Sequence, residues 1–253
     1  MKIRCVWEHN GDDSLIYSDN FTGAFARGRT KDIALGKMAS EVRAYLRWRD
    51  GLEPEGLEIE IVQEKISELN ISDADSDVLF ETEKGALSLA EYEELKALAL
   101  RSAGDFLTLY ESVPDKDRSC LPVRQTFYGQ APRTAFEMYE HTKNVNGYYF
   151  GEIGVEADNE GSILSCRAWG FDLLETHPGF LDNGVFAGSY GEEWSLRKLL
   201  RRFIWHDRIH AKAMYRMAVQ TFGAGVVPNV FQFVILEKGA MPSPSPSKRP
   251  RPL

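Results

Sequence analysis

SLRKLLRRFIWHDRIHAKAMYRMAVQTF, residues 195–222, decides the reading of the fold. Ser195 can cap its start, Gly223 can close its end, and no proline interrupts it, so the stretch predicts one long helix. Along it Leu199, Phe203, His206, His210, Ala213 and Met217 recur at steps of four, three, four, three and four. That rhythm gathers them on one apolar stripe and turns both histidines inward.

Working back along the chain, three further segments carry the same period. Ser88 and Glu91 form a capping box for a helix to about Ser112, with Tyr92, Leu95, Ala99, Ser102, Phe106 and Leu109 on its seam. Thr134 and Glu137 form another for a helix to about Gly151, whose seam Thr134, Met138, His141, Val145 and Tyr148 brings a third histidine inward. Ser162 to Thr176 is the shortest and stops at His177-Pro178-Gly179. Four such helices predict a four-helix bundle, with the extended apolar run Val226 to Leu236 lying along it.

The first seventy residues follow a different period. Residues 3 to 8 alternate, Leu15 to Phe21 and Ala24 to Arg27 read as strands around Gly23, Thr30 to Trp48 as an amphipathic helix, and Leu57 to Val62 as a last strand. The expected class is therefore α+β: a small N-terminal α/β domain over 1–70, an acidic linker over 71–86, the bundle over 87–238, and a disordered Pro/Ser-rich basic tail over 239–253. Within the linker Asp73, Asp75 and Asp77 have the spacing of a calcium loop. Val78 stands where such a loop needs glycine and Lys84 where it needs glutamate, so the run reads as solvated.

Composition narrows the function. A net charge of -8 disfavours non-specific binding to nucleic acid, Lys248, Arg249 and Arg251 of the tail excepted. No apolar run reaches the roughly 20 residues that span a bilayer, and the start lacks a secretory signal, which makes the cytoplasm the expected location. Cys5, Cys120 and Cys166 have no CxxC spacing and read as free thiols.

Three inward imidazoles need partners, because each unsatisfied buried polar group costs about 1–3 kcal/mol. His206 and His210, four residues apart, can converge on one ion, and His141 from a facing helix completes a three-histidine divalent-metal site with open positions. Such an ion lowers the pKa of a bound water or thiol and polarises a substrate oxygen. Glu137 and Asp207 are the neighbouring carboxylates considered as orienters of these ligands. Tyr148, Tyr149, Phe150 and Trp194 are candidate pocket walls. His177 reads as a turn residue and His9 as a strand end, while Gly184 to Gly191 lacks a phosphate-loop lysine. His206-Asp207-Arg208-Ile209-His210 falls one methylene short of the zinc-protease motif. No catalytic residue is assigned.

The stretch Leu87 to Val234 resembles the DinB/YfiT-like superfamily of metal-binding four-helix bundles. The likeness rests on His141 in Met-Tyr-Glu-His-Thr-Lys-Asn-Val, on Trp205-His206-Asp207-Arg208-Ile209-His210, and on Glu193-Trp194-Ser195-Leu196-Arg197 before them. It implies a zinc or nickel ion on the three histidines, a small-molecule thiol partner, thiol-dependent transferase or isomerase chemistry, and frequent dimers. Residues 1–70 resemble the HicB-like antitoxin fold in Asn20-Phe21-Thr22-Gly23-Ala24 with Gly28, Thr30 and Ala34. The enzyme reading is a metal-dependent transferase or hydrolase that uses a thiol or water on the metal; the alternative is a non-catalytic module for dimerisation or partner binding, stabilised by its metal.

Overall fold

Alternation of inward and outward side chains builds the first layer. Strand β1 (Lys2–Asn10) pairs antiparallel with β2 (Asp13–Ser18), and β2 pairs antiparallel with β3 (Phe25–Gly28). On the other side of β1, β4 (Glu58–Ile66) runs parallel, so the sheet is mixed with the order β3-β2-β1-β4. A parallel partner needs a crossover, supplied by helix α1 (Lys31–Asp50). Thr30 Oγ1 accepts from the Ile33 N–H at its start, and Gly51, at φ 69°, ends it in a left-handed conformation that glycine adopts without penalty. The computed structural model describes residues 1–126 and 128–234. The expected tail over 239–253 lies outside them.

Each face of the sheet is covered. Ile3, Cys5, Ile16 and Ala26 join Ala34, Met38, Val42 and Tyr45 of α1 in the main core. On the opposite face Val6, Leu15, Tyr17 and Phe25 pack with Ile71, Val78, Phe80 and Trp205. The solvated character expected of residues 71–86 is thus corrected. Apolar residues flanking the aspartates, Ile71, Val78 and Phe80, are buried on the sheet, and cations from the last helix donate to backbone carbonyls. Lys198 Nζ donates to Asp77 O (2.8 Å), Arg202 Nη1 to Ser76 O (2.9 Å) and Arg201 Nη2 to Val78 O (2.9 Å).

The helices follow. α2 (Leu89–Ser112) opens with the Ser88/Glu91 capping box, and α5 (Ile163–Glu175) and α6 (Leu196–Phe222) start at the serines that the sequence marks. The helix expected from Thr134 to Gly151 is two, α3 (Ala135–Lys143) and α4 (Val145–Gly151). Its break has a cause twelve residues on: the Gly147 N–H, which a continuous helix would bond to Lys143, donates instead to Asn159 Oδ1 at 2.8 Å. A Cβ on Gly147 would lie 2.6 Å from the Ala157 carbonyl oxygen, so this approach needs glycine. α2 packs on α5 and α6, and α3 packs on α6. Phe150, Phe171 and Phe203 meet between them with ring centroids 5.3–6.2 Å apart.

Sheet and helices share one core. Gly23, at φ 91°, leaves room for Ile204 of α6, whose Cγ2 would stand 2.3 Å from any Cβ there. The described part of the run expected to be extended, Val226 to Val234, forms no strand. It turns on itself, with Asn229 bonded twice to Phe233, and seats Phe231 5.2 Å from Trp48 of α1. No described helix is long and apolar enough to cross a membrane.

Candidate metal centre

The long helix delivers two ligands by its period and the shorter one delivers the third. His206 and His210 sit one turn apart on α6 with ring centroids 4.5 Å apart, and His141 of α3 stands 5.2 Å and 4.6 Å from them. One ligand nitrogen from each ring lies within 4.8 Å of the other two. Tetrahedral ligation with bonds of about 2.0–2.1 Å places nitrogens roughly 3.4 Å apart, so closure on an ion asks for small side-chain rotations only.

The rings' other contacts fit a ligand role. His206 is buried, at 7% exposure, and its Nδ1 has no hydrogen-bond partner. No ring nitrogen of His141 or His210 has one among the described residues either. Such an orphaned donor–acceptor is costly unless something binds it. Desolvation lowers the pKa of all three, His206 and His210 well below the usual imidazole value; neighbouring His210 and His141, then Arg202 and Arg167, add to the effect on His206. Neutral imidazoles are the form that ligates metal. His141 and His210 are only half-buried, which leaves one side of the cluster facing solvent.

Aromatic rings frame the cluster. Tyr128, on the tight turn between Gln125–Thr126 and Gly129–Gln130, stacks on His141 at 5.9 Å, and Tyr149 stands edge-on to His206 at 6.0 Å. Arg202 lies one turn before His206, with its guanidinium 5.5 Å from the Tyr149 ring. Of the expected pocket walls, Tyr149 contacts the triad. Tyr148 and Trp194 form the layer behind it, and Phe150 belongs to the aromatic core. Tyr128 and Arg202 were not anticipated. Arg202 is on the same stripe as His206 at i−4, a spacing that could have revealed it, whereas nothing local ties Tyr128 to His141.

Neither carboxylate considered as an orienter serves the triad. Glu137 Oε2 accepts from the Arg133 and Thr134 N–H groups (2.8 and 3.1 Å) as part of the cap. Asp207 points to the far side of α6, where it pairs with the fully buried Arg167. Burial pushes the Asp207 carboxyl up, and the guanidinium opposes that. His177 is exposed in a turn after α5, and His9 stacks on Trp7 (4.0 Å) and pairs with Glu64 (3.2 Å). The segment 184–191 is an exposed connection in which the Ser189 N–H donates to Glu152 Oε2 at 2.6 Å. No family model matches this sequence, and comparison with curated proteins and with solved structures finds no match either.

Proposed function

We propose that the chain binds one divalent ion, zinc or nickel, through His141, His206 and His210, and works as a DinB-like, thiol-dependent transferase on small molecules. The observation that carries this reading is the His206 Nδ1, buried without a hydrogen-bond partner among the described residues and within reach of two further imidazoles. An ion held there would lower the pKa of a bound thiol and stabilise the thiolate. The chain contributes neutral ligands, so the ion keeps its full positive charge. Half-buried His141 and His210 leave a path from solvent, and Tyr128 and Tyr149 would limit the volume beside the ligands.

A second reading rests on placement. The ligands come from α3 and α6, so an ion would cross-link two helices and could serve stability alone. A cobalt-substituted protein separates the two. Low-molecular-weight thiols should shift its visible spectrum, and His141→Ala should abolish that response. A spectrum indifferent to thiols and to other anions would leave the stabilising role.

A further inference from the structure

A groove between β3, α1 and α6 holds four cations around an apolar floor. Arg27, Lys37, Lys212 and Arg216 line a cavity of about 370 Å³, together with Ile209 and Ala213. Their partners are few. Arg27 Nη1 donates to Ser72 O (2.8 Å) and Lys37 Nζ to Arg27 O (2.7 Å), both backbone acceptors. Lys212 Nζ bonds Glu41 (2.8 Å), a carboxylate already shared with Arg208 at 2.7 Å. Arg216 has no hydrogen bond or ion pair among the described residues.

The four cations outnumber the carboxylates near them, Glu41 in the wall beside Lys212 and Arg216, and Asp73 and Asp13 near Arg27, so they repel one another although the chain as a whole is acidic, at a net charge of -8. Lys37 registers the crowding, its pKa lowered by burial and then by Arg27, Lys212 and Arg216. The solvated alternative, cations spread over a convex face, does not describe a concavity with Phe25, Ala26 and Ala44 in its wall. Clefts where two structural units meet, apolar with a few converging charges, are the usual form of small-molecule sites.

We infer that this groove binds an organic anion, its carboxylate or phosphate held by Lys37 and Arg216 and its apolar body lying against Ile209 and Ala213. The site is separate from the triad, although Ala213 is only one turn beyond His210, and the inference does not depend on metal binding. Guanidinium and ammonium groups together suit an oxyanion, and the apolar floor selects against a bare inorganic one.

The test is calorimetric titration of the full chain with 1-naphthyl phosphate, 1-naphthol and inorganic phosphate, with and without a chelator. The expected result is one 1-naphthyl phosphate bound per chain, more tightly than either comparison molecule and regardless of chelator. Lys37→Ala/Arg216→Ala, at exposed positions and with native folding checked by circular dichroism, should weaken binding by at least about tenfold, the equivalent of one charge-assisted contact. His206→Ala should leave it unchanged. Unaltered binding in the Lys37/Arg216 variant, equal affinity for 1-naphthol or for inorganic phosphate, or loss of binding in His206→Ala would each overturn the assignment.

Discussion

The histidine stripe of α6 and the rest of the helix bury polar groups in different ways. Off the stripe, Lys198, Arg201, Arg208 and Asp207 each meet an opposite charge: Lys198 Nζ stands 2.8 Å from Glu192, Arg201 pairs with Glu83, Arg208 with Glu41 and Asp207 with Arg167. On the stripe, His206 and His210, with His141 facing them, have no hydrogen-bond partner among the described residues and meet each other and aromatic rings. The charge pairs hold the fold together, even though Arg201 Nη1 and Arg208 Nε and Nη1 make no hydrogen bond of their own. On the proposed reading the imidazoles, which have no counter-charge, are the groups that take a ligand.

The largest expected effect breaks one of the charge pairs. Arg167→Ala leaves Asp207 buried and uncompensated, which should cost about 3–5 kcal/mol in urea unfolding, whereas replacing both by apolar residues of similar size should cost far less. If the single variant loses under about 1 kcal/mol, the pair is not structural in this sense. Next comes the histidine stripe. Zinc at about one hundred times its dissociation constant should raise unfolding stability by about 2.7 kcal/mol, provided that it binds the folded chain alone.

A pH effect comes from a buried carboxyl outside α6. Glu8 is fully buried beside Ser76, which donates to its Oε2 at 2.5 Å, and burial pushes its carboxyl up to about 7. Between its unfolded value of about 4.3 and that point the folded chain holds the extra proton, so this group makes stability fall as pH rises. Glu8→Gln should remove that decline. The variant's advantage over the parent should grow to roughly 3 kcal/mol by neutral pH, read from urea unfolding at pH 4 to 8, and a difference independent of pH would contradict the assignment. The smallest effect concerns His206→Leu, which replaces an orphaned polar group by an apolar one. Without metal it should stabilise the protein by about 1 kcal/mol, an effect readable by calorimetry in the presence of chelator.

Local signals were legible in the sequence and distant ones were not. The caps at Ser88, Thr134, Ser162 and Ser195, and the inward histidines of α6, depend on residues within a turn or two of one another, and the helix period alone reports them. The break at Asn144 depends on Asn159, and the counter-charge of Asp207 is Arg167, forty positions away, so neither shows in a local pattern. Residues 71–86 misled for a third reason. Their aspartates suggest a solvated spacer, yet Ile71, Val78 and Phe80 together cover the sheet, and the cations that donate to the Asp77 and Val78 carbonyls lie more than a hundred residues later.

The central claim, that the three unpartnered imidazoles form a metal site, is tested most directly by counting metal. Tag-free protein, stripped by chelator and dialysed against zinc or nickel, should take up about one ion per chain by elemental analysis, and a His206→Ala/His210→Ala variant that remains folded by circular dichroism should take up none. Equal uptake by the variant, or no stoichiometric uptake by the parent chain with either ion, would contradict the account.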